Sequence, residues 1–228
     1  MKFKTKQGLN EFCKTEIGKL DESKLYVIHI KLNIKGVRAM LNPYAFLIQT
    51  AAFANKEYQI NHTALIYGIY KDKILGKTAK YVEATLFGLR INSFSNLIET
   101  VNINDGEIWL EEVPSVSLDG KERKWLVNFV EKKILGRKYN ILKAIGSQTF
   151  KSKFLIPLNF LFNLIGKVGK NRQGHFCTEV VKIIIDEVIQ KTRKRKETLK
   201  NKKFKARESA KIYPSQFFGS LNKPKRFF

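Results

Sequence analysis

Cysteine is scarce in this 228-residue chain, which carries Cys13 and Cys177 alone. Two thiols separated by most of the chain are too few for a disulfide framework. Histidine is as sparse. His29, His62 and His175 are scattered and form no metal-ligand spacing, so neither a metal nor a cofactor is expected. No apolar run is long enough to span a bilayer. The longest, 154–165, is broken by Pro157, Asn159 and Asn163, and reads as a helix packed on the core, with a lid or membrane-contacting element as the alternative. The N-terminal Met1–Gln7 is basic but has no apolar core or small-residue cleavage site behind it. It does not read as a secretion signal, and the expected place of synthesis is the cytoplasm, with association with a phage as a further expectation.

Negative charge is also short, with 20 acidic residues against 43 Lys and Arg, for a net charge of +23. Such a chain attracts polyanions: nucleic acid, anionic lipid or acidic wall polymer. Much of the excess is local, since residues 191–211 hold eleven basic and two acidic side chains. That segment is the expected contact for a polyanion or an anionic membrane surface. No RNA-recognition, zinc-finger or helix-turn-helix pattern accompanies it, so any nucleic-acid binding would be to phosphate and steeply salt-dependent.

The length and the 43% hydrophobic content suffice for one buried domain. Residues 1–24 read as a polar segment without clear periodicity, in which Cys13 is incidental. The domain proper is expected over 25–220, with 191–211 a basic segment inside it and 221–228 a basic tail. Within it, Leu25–Ile34 alternates as a strand with Ile28, Ile30, Leu32 and Ile34 on one face, and His29 and Lys31 on the other, where His29 meets solvent or a local partner. Tyr44–Lys56 suits a helix, Asn92–Ile98 a turn or short helix, Glu107–Val113 a strand, and Lys121–Leu135 an amphipathic helix stopped at Gly136. The sum is an α+β domain, a small mostly antiparallel sheet packed against helices.

The chemistry-bearing residues lie far apart in this frame. Val180, Val181, Ile184, Ile185 and Val188 recur at helical spacing and place Cys177 at the start of that helix. A helix N-terminus has unpaired N–H groups and partial positive charge, which favour a thiolate. Upstream, Asn61–Tyr67 reads as a strand with His62, Ala64 and Ile66 on one face. Tyr81–Phe87 reads as its antiparallel partner, with Glu83 opposite His62 if the turn centres between Asp72 and Lys73, and with Gly76 able to move that turn. A cysteine, a histidine and a carboxylate so arranged supply a nucleophile, its base and an orienting group.

The chain order His, Glu, Cys resembles the circularly permuted papain-like cysteine hydrolases of the NlpC superfamily, particularly the YiiX/YaeF-like branch. It is similar, more distantly, to lecithin retinol acyltransferase. The matching pieces are His62 with Ile66-Tyr67-Gly68, Val82-Glu83-Ala84, Gly136-Arg137-Lys138-Tyr139-Asn140, Phe176-Cys177-Thr178-Glu179-Val180-Val181 and Tyr213-Pro214-Ser215-Gln216-Phe217, together spanning nearly the whole chain. The resemblance implies a permuted papain-like fold and a catalytic Cys177, His62 and Glu83, with Tyr139 beside the cleft. His175, two residues before the nucleophile, is a poor base but a candidate substrate contact. The implied activity is hydrolysis of amide bonds in cell-wall or related small peptides, a phage or lysis pathway being one route to the wall. Two alternatives stand beside it. One is acyl hydrolysis or transfer on lipid, suggested by the 154–165 stretch, and the other is a non-catalytic, viral binding protein that keeps the frame and uses its basic face.

Overall fold

The first strand shows why the sheet is covered on both sides. β1 (Tyr26–Lys31) is buried at four consecutive positions, a pattern that a half-exposed strand cannot give. In the computed structural model, which describes residues 3–32, 60, 62–72, 76–85, 87–114, 116–138, 140, 160–161, 164–168, 175, 177–192 and 217–228, β1 lies inside a six-stranded antiparallel sheet. The other strands are β2 (His62–Asp72), β3 (Gly76–Thr85), β4 (Gly88–Ser93), β5 (Glu107–Glu112) and β6 (Lys225–Arg226), in the order β4-β3-β2-β1-β5-β6. The architecture is α+β.

Helices cover each face. On one side α1 (Lys6–Gly18) and α2 (Phe94–Ile103) lay Leu9, Cys13, Ile17, Phe94, Ile98 and Val101 on Ile28, Ile30, Ala64, Ile66 and Tyr81. On the other, α3 (Gly120–Phe129) and α4 (Cys177–Thr192) lay Leu126, Val180, Val181, Ile184 and Val188 on Val27, Leu65, Tyr67, Val82 and Ala84. Each such branched side chain taken out of water contributes about 2 kcal/mol before conformational entropy is charged against it.

Several expectations change. The segment expected to be polar and aperiodic is α1, capped by the Thr5 side chain, which accepts from the Gly8 N–H. Its apolar stripe is one residue wide, Leu9, Cys13 and Ile17 at intervals of four, and is masked in the sequence by the charges between. Cys13 is therefore a core thiol, pushed up by burial. Asn92–Ile98 opens β4's exit into the ten-residue α2. α3 starts on a capping box between Asp119 and Glu122 and runs on as a π-helical turn, Val130–Ile134, before Gly136 at φ 80° ends it.

His29 does not meet solvent. It is fully buried, and its Nε2 bonds Glu111 Oε2 at 2.7 Å. The sheet face it occupies is closed by the chain's C-terminal segment, with Phe217 and Phe218 against its ring. Glu111 in turn accepts backbone N–H groups from Gly219, Leu221 and Asn222. The stretch expected to pack on the core leaves Phe160 77%, Leu161 48% and Leu164 51% exposed. The expected helix 44–56, Tyr139 and residues 193–211 of the basic segment lie outside the described residues. Among the described residues no helix is long and apolar enough to cross a membrane.

Candidate active site

The hairpin β2–β3 sets the site, and one extra residue in it decides the outcome. Near the turn the pairing is Asp72↔Gly76, Ile69↔Ala79 and Gly68↔Lys80, whereas beyond the turn-distal bulge it is Ile66↔Tyr81, Leu65↔Val82 and Ala64↔Glu83. Had the turn-side register continued, Glu83 would stand opposite Leu65 and project from the other face of the sheet. The bulge, with Tyr67 as the unpaired residue, slips the ladder by one and returns Glu83 to the face of His62. The expected direct pairing of His62 with Glu83 is thereby replaced by a diagonal one. The two side chains still meet, with His62 Nε2 2.9 Å from Glu83 Oε2.

Glu83 is held as firmly on its other oxygen. Oε1 accepts from the Asn92 side-chain amide at 2.8 Å and from the Tyr81 hydroxyl at 3.3 Å. Burial alone would raise its carboxyl, but the bond and charge of His62, with the two neutral donors, outweigh burial and hold it below the usual carboxylate value. Tyr81 is detectable in the sequence as the residue two before Glu83 on the same strand face. Asn92 is not, because only the pairing Tyr81↔Asn92 of β3 with β4 brings it there.

Cys177 is the first residue of α4, and its side chain is close enough to the His62 imidazole to act on its charge. With Nε2 occupied by Glu83, the ring nitrogen left for the sulfur is Nδ1. His62 opens β2 as Cys177 opens α4, so the two side chains meet at the end of the sheet. Burial would push the imidazole down, but its interaction with the Cys177 side chain and the bond it donates to the charged Glu83 carboxylate lift it from its ordinary 6.5 to about 10. The arrangement favours the protonated form of the imidazole over the neutral one. Cys177 is 1% exposed, whereas the His62 side chain is 22% exposed and that of Glu83 12%. The imidazole is the member of the group that faces solvent.

His175 is turned to other partners. Its backbone bridges the preceding loop, donating to the Lys138 carbonyl at 2.9 Å and accepting from the Asn140 N–H at 3.1 Å. Its ring lies between Glu179, 3.5 Å from Nδ1, and Arg137, whose Nη1 donates to Nε2 at 3.2 Å. A cavity of about 470 Å³ at the far end of β2, walled by Tyr67, Leu118, Arg123 and Val127, contains none of Cys177, His62 or Glu83. Among the described residues no three His, Cys, Asp or Glu side chains converge as a metal-ligand set.

The structure therefore brings a thiol close to an imidazole that is hydrogen-bonded to a carboxylate. Such a cluster suits proton exchange at the imidazole, with the carboxylate keeping the cation oriented. Comparison with family models, with curated proteins and with solved structures finds no match.

Proposed function

We propose that the chain is a thiol-dependent hydrolase of the permuted papain-like kind, cleaving amide bonds in cell-wall or related small peptides. The observation that carries this reading is the His62–Glu83 bond at 2.9 Å with the Cys177 side chain beside the imidazole. The Cys177 sulfur attacks the carbonyl carbon, and a C–S bond forms while the carbonyl π pair moves to oxygen. The partial positive charge at the N-terminal end of α4 suits that oxyanion. Collapse breaks the C–N bond, and the leaving amine takes the proton of the His62 imidazolium. Water then attacks the thioester as His62 accepts its proton, and release of the acid regenerates the sulfur. Throughout, Glu83 holds the proton on Nε2, so that Nδ1 always faces the reaction.

A second reading draws on the 1% exposure of Cys177. In it the frame is kept, the sulfur is a core group, and the protein acts by binding through its basic surface. Incubation with peptidoglycan fragments, phospholipids and a thiol-directed acyl probe separates the readings. On the hydrolase reading, Cys177→Ala and His62→Ala each abolish turnover and labelling, and Cys13→Ala leaves both intact. Labelling that survives Cys177→Ala, or no turnover of any substrate by the unmodified protein, sinks it. Turnover of phospholipid alone replaces the amide substrate by a lipid ester.

A further inference from the structure

The tip of the β3–β4 hairpin carries Phe87, 81% exposed, and the turn after the π-helical segment carries Leu135, 44% exposed. Exposed apolar side chains grouped within a charged rim mark an interaction surface. These two ride on segments that are locked to one another, because the Leu89 N–H donates to the Arg137 carbonyl at 3.0 Å. Gly88, at φ 103°, is so close that a Cβ there would sit 3.1 Å from the same carbonyl. Around them stand Arg90, Lys132, Lys133, Arg137 and Lys138, all exposed, against the single acidic Glu131 of the 131–138 stretch. Arg90 lies over the Phe87 ring at 4.9 Å, and Arg137 Nε is tied to the Lys133 carbonyl at 2.7 Å.

We infer that this ridge is a docking surface for an anionic lipid bilayer. A dissolved polyanion satisfies the five cations but offers nothing to a phenyl ring and an isobutyl group. A bilayer surface offers both, with anionic headgroups for the cations and hydrocarbon just beneath for Phe87 and Leu135. The surface differs from the 191–211 basic segment and does not depend on Cys177 being catalytic. Its position has a consequence all the same. His175, bonded to Lys138, is two residues from Cys177, so a docked molecule would hold its sulfur near the lipid–water boundary.

The test is sedimentation of the full chain at physiological salt with vesicles of phosphatidylcholine, with and without phosphatidylglycerol, alongside retention on heparin. The protein is expected to sediment with the phosphatidylglycerol vesicles and not with phosphatidylcholine alone. Phe87→Ser and Leu135→Ser should each weaken that partition by about tenfold and leave heparin retention and thermal unfolding unchanged. Failure of the unmodified protein to sediment overturns the inference. So does unaltered sedimentation of both variants, which would reduce the surface to a generic polyanion contact.

Discussion

Replacing Glu83 by Gln removes one negative charge from His62 and keeps nearly the same shape. In the native site the carboxylate receives Nε2 of the imidazole at 2.9 Å and two neutral donors on its other oxygen. A hydrogen bond to a charged group contributes about 1.5–3 kcal/mol. One pKa unit corresponds to about 1.4 kcal/mol, so the imidazole should lose about one to two units. The sign follows from which form the carboxylate favours. Glu83 stabilises the imidazolium, so its loss lowers a group that now titrates at about 10. The measurement is the pH dependence of the imidazole resonances by NMR, tractable because the chain has three histidines, and needing no substrate. His62→Gln assigns the signal. The alkaline limb of any turnover should fall in step. A His62 resonance that titrates near its ordinary 6.5 in the unmodified protein, or that does not move in Glu83→Gln, refutes the account. Stability carries the same signature. The share contributed by charged His62 is complete below 6.5 and is lost as pH rises through about 10, and that of Glu83, whose carboxyl is held low, is lost as pH falls below the carboxylate range.

Two further outcomes concern the frame that holds the site. Glu111→Ala leaves His29 buried without its partner and frees the N–H groups of Gly219, Leu221 and Asn222. Urea unfolding should show a loss of about 3–5 kcal/mol, and a loss under about 1 kcal/mol would mean that this carboxylate does not anchor the C-terminal segment. Gly88→Ala places a Cβ at φ 103° and 3.1 Å from the Arg137 carbonyl. A cost of about 1–3 kcal/mol is expected in thermal unfolding, and an unchanged midpoint would show that the hairpin tip and the 137 turn are not in close contact.

The strongest periodic signals in the chain led directly to structure. The stripe from Val180 to Val188 is a helix beginning at Cys177, and Glu107–Glu112 is a strand. The alternation of His62, Ala64 and Ile66 also holds in β2. Weaker signals misled for physical reasons. α1 buries one residue per turn, so polar and charged side chains outnumber apolar ones along it. His29, expected to meet solvent or a local partner, instead bonds the distant Glu111, because alternation distinguishes two faces of a strand but not whether the second face is covered by a distant segment.

Residue type and spacing by themselves determined which groups are able to carry acyl chemistry, and on which elements they stand. Local periodicity is a property of neighbours in the chain, and neighbours suffice for it. Whether those groups touch was decided by tertiary structure. The one-residue bulge at Tyr67 sets the face from which Glu83 projects, β4 supplies Asn92 to its second oxygen, and the packing of α4 brings sulfur to imidazole. Register between strands and the docking of a helix end depend on contacts between residues far apart in the chain, and no local pattern encodes them.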